Sequence, residues 1–155
     1  MARQNFRLVS SAFRHGADIP STHTCDGSNV SPPLSWEHVA EETRSFVVVV
    51  EDLDASSEIF THWVLFDIPA DTRQLARGVA GVGVTGRNDF QTTSYRGPCP
   101  PAGDGGHRYV FRLHALDVAT LELPEGSTRV EVQEALASHV LDEADLMGRY
   151  RRGRG

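Results

Sequence analysis

Short segments of this chain hold side chains that handle protons and charge: Asp52-Leu-Asp54, Thr61-His62-Trp63, a turn around Pro98, Pro100 and Pro101, and His107-Arg108-Tyr109. Imidazoles donate hydrogen bonds to phosphate or carboxylate oxygens, and ordinary histidines gain charge near pH 6.5, so His62 and His107 are candidate anion ligands. Asp52 and Asp54 share a face if their strand persists, because side-chain direction repeats every two residues. Each segment also has a plain structural explanation. An Asp-x-Asp pair commonly ends a strand with solvated acids, and a histidine at a strand start commonly makes a structural hydrogen bond. The proline turn is the most distinctive. Pro98, Pro100 and Pro101 fix φ and remove N–H donors, while Gly97, Gly103, Gly105 and Gly106 let backbone or ligand approach closely. Such a loop presents something rather than continuing a helix or central strand.

The elements that must position these residues are legible as patterns. Arg108 to Leu116 alternates polar and apolar, which places His107 at a loop-to-strand junction. Ser45 to Asp52 reads as a strand whose run of valines implies burial on both faces. His62 to Ile68 is a further strand ending at Pro69, and Phe6 to Phe13 carries a first strand. Asp18 to Trp36 is a long excursion dense in turn residues, of a length that is usually functional. Gly81-Val-Gly-Val-Thr-Gly86 matches the dinucleotide-binding fingerprint literally, but no helix opens after it to receive a pyrophosphate, so that reading is rejected. A helix starts near Thr128, where Thr-Arg-Val-Glu131 forms a capping box and Val132, Leu136 and Val140 recur at helical spacing. A second helical turn is expected over Asp142 to Met147, then a frayed basic tail from Arg149 to Gly155. Strands joined by long loops, with a short C-terminal helical segment, predict a mainly antiparallel β-sandwich with under about a quarter helix.

Composition narrows the chemistry. The 155 residues suffice for one domain spanning the chain, and the formal charge of −6 argues against nucleic-acid partners. All fifteen basic residues are arginine, which excludes Schiff-base chemistry and a P-loop lysine. The longest apolar run, Phe46 to Val50, is far short of a membrane span, and the first residues lack a signal-like apolar stretch, so a cytoplasmic protein without stable membrane insertion is expected. In that compartment Cys25 and Cys99 are expected as free thiols, with a pairing left open should the fold join their loops. His15, His23 and Cys25 show no fourth ligand at zinc spacing, so neither metal nor other cofactor is expected.

Taken together, Asp26-Gly-x-Asn29-x-Ser31-Pro-Pro-Leu-x-Trp36, Glu51-Asp52-x-Asp54-Ala55, His62-Trp63 with Ile68-Pro69, Gly86-x-Asn88-Asp89-Phe90, Tyr95-x-Gly97-Pro98-Cys99-Pro100-Pro101 and Gly106-His107-Arg108-Tyr109 resemble the phosphatidylethanolamine-binding protein family. The likeness is to its short bacterial, Raf kinase inhibitor-like branch and runs from about Asp18 to Tyr150. It implies a Greek-key β-sandwich with a small anion pocket formed by Asp52, His62, Gly97, Pro100, Pro101, His107 and Tyr109, with Trp63 packing beside it and Asp54 and Arg108 in support. The family's Asp-Pro-Asp-Ala-Pro stands here as Asp52-Leu53-Asp54-Ala55-Ser56, without either proline, and the C-terminal extension of eukaryotic relatives is absent.

On this resemblance the chain is expected to be a non-catalytic binding protein for a small anionic or zwitterionic group: phosphate, phosphomonoester, carboxylate or phosphoethanolamine. Asp52 would orient a histidine, share a proton with the ligand, or receive an ammonium. The alternatives are a kinase or protease inhibitor acting through surface loops, and a hydrolase using the Asp/His cluster. Neither Gly-x-Ser-x-Gly nor His-Glu-x-x-His occurs in support of the last. A regulated protein partner and a homodimer are both compatible with the binding role.

Overall fold

The computed structural model describes residues 5–56 and 58–152. Two antiparallel sheets form. β1 (Arg7–Val9), β2 (Leu34–Glu37) and β5 (Gln74–Leu75) make a three-stranded sheet in the order β1-β2-β5. β3 (Ser45–Asp52), β4 (Phe60–Pro69), β6 (Val84–Thr85), β7 (His107–Leu116) and β8 (Val140–Tyr150) make a five-stranded sheet in the order β6-β4-β3-β7-β8. β3 and β4 form a hairpin, and β7 returns after a long connection to pair with β3 rather than β4, a Greek-key crossover.

Period-two alternation explains both faces of the large sheet. Phe46, Val48 and Val50 of β3, Phe111 and Leu113 of β7 and Leu65 of β4 face Leu8, Leu34, Trp36 and Leu75 of the small sheet. Val47, Val49, Val64 and Phe66 point the other way and are covered by Val132 and Leu136 of α1 (Arg129–Leu136). The valine run of β3 is thus buried on both sides, as its composition implies. α1 begins at Thr128 with the expected capping box, in which Thr128 accepts from the Glu131 amide and Glu131 accepts from the Thr128 amide.

Two expectations for the C-terminal part fail. Asp142 to Met147 is not helical but lies within β8, paired with β7 from His107↔Tyr150 to Leu116↔Val140. Good helix formers in that stretch yield to the long ladder, whose buried positions Ala144, Leu146 and Gly148 alternate. Arg149 is no frayed tail residue either: it pairs with Arg108, and its amide donates to the Ala17 carbonyl at 2.9 Å. Arg154 lies outside the described residues. As anticipated, Gly81 to Gly86 leads into β6 and no helix follows.

Cys25 and Cys99 are joined in a disulfide, contrary to the expectation of free thiols. The excursion after Asp18 folds back under the proline turn, and the Cys25 amide donates to the Pro98 carbonyl at 3.1 Å, which brings the thiols into bonding range. No helix among the described residues is long and apolar enough to cross a membrane.

Candidate functional site

The site starts with Asp52, the last residue of β3, which continues the inward row of Val48 and Val50 and pairs with Tyr109 on one side and Phe60 on the other. On β7, His107 precedes Tyr109 on the same face and stacks near it, with ring centroids 6.3 Å apart.

His62 arrives by a different device. In the β3–β4 ladder Val50 lies opposite Trp63 and Glu51 opposite Thr61, so His62 is an extra residue at a bulge. A bulge re-aims a side chain. Here it lets His62 join Asp52 at the cavity while neighbouring Trp63 still packs into the sandwich interior. Thr61 points to the opposite face, where its hydroxyl accepts from Arg129 Nε at 3.0 Å.

The proline wall is set from behind by the Asp18–Trp36 excursion. Gly97 N–H donates to Asn29 Oδ1 at 2.8 Å, and the Tyr95 hydroxyl donates to the His23 carbonyl at 2.7 Å. A Cβ at position 97 would lie only 1.9 Å from the His23 oxygen, so glycine is needed there for close backbone approach. The third wall is Phe90, held by Asn88, whose Oδ1 accepts from the amides of Phe90 and Thr92 at 2.9 and 3.1 Å and whose Nδ2 donates to the Ser94 carbonyl at 2.6 Å.

These elements enclose a cavity of about 210 Å³. Of the residues expected to bind ligand, Asp52, His62, Pro100, Pro101, His107 and Tyr109 line it. Gly97 does not; it serves the wall from behind. Trp63 lines a separate cavity of about 810 Å³, whose titratable side chains, Tyr95 and Glu125, are engaged with the His23 carbonyl and Thr85. Asp54 and Arg108 support the site from outside: the Asp54 carboxylate accepts from the Arg108 amide, Nε and Nη2 at 2.8, 3.0 and 2.8 Å, and this pairing holds its pKa down at about 2. Sequence reasoning missed Ala55, Ser56, Phe60, Phe90, Cys99 and Asp104 as lining residues. Phe60 was findable, being two residues from His62, and Phe90 lies inside a quoted motif. Nothing in the glycine-rich run marks Asp104.

The two histidines differ in charge. His107 Nδ1 donates to Asp52 Oδ2 at 2.8 Å and Nε2 donates to Asp104 Oδ2 at 2.7 Å. Burial opposes the imidazolium, but hydrogen bonds and charge from these carboxylates outweigh it and raise the His107 pKa. His62 Nδ1 donates to the Arg96 carbonyl at 2.7 Å, and burial, only partly offset by that bond and by Asp52, lowers its pKa. His62 is therefore the neutral partner, with its lone pair on Nε2. Phe60, Phe90 and Tyr109 surround its ring edge-on at 5.2–5.4 Å. The Tyr109 hydroxyl is fully buried and makes no hydrogen bond of good geometry, but it lies close to Asp52, and burial together with that carboxylate pushes its pKa well above the ordinary phenol value. His15, His23 and Cys25 form no cluster: His15 accepts from the Met147 amide, His23 bonds the Val30 carbonyl, and Cys25 is in the disulfide.

A family model described as phosphatidylethanolamine-binding protein matches residues 9–151. The chain belongs to the phosphatidylethanolamine-binding protein family. Among members of that family and its relatives, a UPF0098 protein of Methanothermobacter thermautotrophicus is 49% identical over 152 residues, covering 94% of this chain and 99% of that one. The crystal structure of a phosphatidylethanolamine-binding protein homologue, CT736 of Chlamydia trachomatis, superposes with a TM-score of 0.89 at 37% identity, covering 96% of this chain and 98% of that one. YbcL of E. coli, described as a member of the mammalian family, gives a TM-score of 0.90 at 30% identity over 96% and 99% of the two chains.

Proposed function

We propose that this member of the phosphatidylethanolamine-binding protein family is a non-catalytic binding module of the Raf kinase inhibitor-like branch, whose cavity takes a phosphate, phosphomonoester or carboxylate, alone or as part of a zwitterionic head group such as phosphoethanolamine. The observation that carries the reading is His107. It is buried, held by Asp52 and biased toward its cation, beside a buried Tyr109 hydroxyl that makes no hydrogen bond of good geometry. An unmade buried hydrogen bond costs about 1–3 kcal/mol, and an oxyanion would relieve it. A cavity of about 210 Å³ suits a head group and not acyl chains. The Asp52 carboxylate favours a ligand with an ammonium arm as well as a bare anion.

Binding is favoured over hydrolysis because the hydrogen bonds of the two histidines run to a backbone carbonyl and to carboxylates, with no hydroxyl or thiol nucleophile among them. The Cys25–Cys99 bond favours an oxidising setting over the reducing cytoplasm. A protein partner would be recognised through a phosphorylated or carboxylated group entering this cavity.

The test is calorimetric titration of inorganic phosphate and phosphoethanolamine into the wild type, His107→Ala and Tyr109→Phe. Loss of a charged hydrogen bond is worth roughly 1.5–3 kcal/mol, so His107→Ala should weaken binding about tenfold or more. Equal affinities in wild type and His107→Ala would overturn the reading.

A further inference from the structure

His107 is clasped by two carboxylates that are built very differently. Asp52 is buried, and its second oxygen accepts from the Asp54 amide at 2.8 Å, so it is a fixed part of the floor. Asp104 is half exposed, with 51% of its side chain open to solvent. It rides on a turn between Gly103 at φ +83° and Gly105 at φ +79°. A Cβ added at Gly103, Gly105 or Gly106 would meet nothing within 4 Å, so this arm is packed against no neighbour. Its anchors are the Asp104 amide, which donates to the Pro101 carbonyl at 3.1 Å, and the carboxylate on His107 Nε2.

An external phosphate or carboxylate oxygen can accept from His107 Nε2 only along the direction that the Asp104 oxygen already takes, at 2.7 Å. We infer that Asp104 is the site's built-in ligand, a specificity-determining residue whose carboxylate an incoming anion must displace, and that it selects phosphate-class dianions over monocarboxylates. The inference rests on the anion-binding reading above. The selection follows from charge and from tethering. A free monocarboxylate offers His107 nothing that Asp104 does not, and it competes with a group held at an effective concentration in the millimolar range. A phosphate or phosphomonoester dianion brings more charge and more acceptor oxygens, enough to engage the Tyr109 hydroxyl as well as Nε2. Displacement swings the Asp104 arm outward on its glycines and leaves Asp52 in place.

The test compares acetate and inorganic phosphate at pH 6.5, 7.2 and 8, a range over which phosphate becomes a dianion and His107 gives up its charge, in the wild type, Asp104→Asn, Asp104→Ala and His107→Ala, by calorimetry and by the ring resonances of His107. Both Asp104 variants should bind acetate at least tenfold more tightly than the wild type, and the preference for phosphate over acetate should shrink. Because Asp104 sits on an exposed arm, the variants should keep the wild-type circular dichroism spectrum. Wild-type affinities in both Asp104 variants, with binding weakened in His107→Ala, would overturn the role of Asp104 and leave the anion site standing. Weaker binding in the Asp104 variants would likewise overturn it, since it would make Asp104 a helper of the ligand. If no protein in the set binds either anion, the anion reading falls and this inference falls with it.

Discussion

His107 and His62 face one cavity from opposite sides of the histidine titration. Their pKa values should fall on either side of about 6.5, His107 above and His62 below, when followed by NMR. The signs then separate. His107, raised in the folded state, contributes stability that is complete below pH 6.5 and is lost as pH climbs through its folded value. His62, lowered, contributes stability that is present above 6.5 and is lost as pH falls toward its folded value. Sulfate keeps its charge throughout, so its affinity should follow His107 alone, strong at low pH and fading above neutrality. A profile that moves with His62→Gln and ignores His107→Ala would contradict this assignment. Tyr109 offers a second check. Tyr109→Phe removes a buried donor that makes no well-formed hydrogen bond, so the ligand-free protein should be as stable as the wild type or up to about 2 kcal/mol more stable in urea, while anion affinity drops. The identities of most lining residues were readable from quoted motifs, but their charge states were not. Whether a histidine is cation or neutral depends on the carbonyl or carboxylate at its second nitrogen, and Asp104 carries no pattern that announces it.

The strands and loops that bring these residues together were readable to unequal degrees. Continuous valines and simple alternation located β3, β4 and β7. The His62 bulge was not visible, because alternation cannot show where a ladder skips a residue, yet that skip is what brings His62 to Asp52. β8 was masked by Asp142-Glu143-Ala144-Asp145-Leu146, whose residues favour helix in isolation but pair with β7 in the sheet. The disulfide was hidden because pairing depends on the excursion lying under the proline turn, a tertiary fact. Joining residues 74 apart, it should stabilise the fold by about 4 kcal/mol through loss of unfolded-chain freedom. The Cys25→Ser/Cys99→Ser double variant should therefore unfold at clearly lower urea, and its anion affinity should fall because Cys99 belongs to the cavity wall. An unchanged midpoint would mean that the hydrogen bonds of Cys25, Asn29 and Tyr95 hold the turn unaided.

In the molecule as a whole, the large sheet is fastened to its helix by a charge that water does not reach. Glu51 is 1% exposed on the α1 side of β3, within 3.0 Å of Arg112 Nη1 and 3.4 Å of Arg129 Nε. Removing one partner of a buried pair costs about 3–5 kcal/mol when nothing replaces it. Arg112 remains in Arg129→Ala, so a loss nearer 2 kcal/mol is expected there. Arg108→Ala, which breaks the more open pair with Asp54, should cost less than Arg129→Ala. Urea unfolding of the two variants side by side checks the ranking, and a reversed order would show that Glu51 is held by packing rather than by its arginines.

The Cys25–Cys99 bond has a further consequence. It closes a covalent ring that contains β2, β3, β4, β5 and β6, while β1, β7, α1 and β8 hang from it as two arms. The exposed residues around Gly81, the natural target of a protease, lie inside that ring. A chain nicked there still travels as one molecule, because the two halves stay linked through sulfur as well as through the ladder of β3 with β7. The pieces would separate only once the disulfide was reduced and the ladder of β3 with β7 was melted.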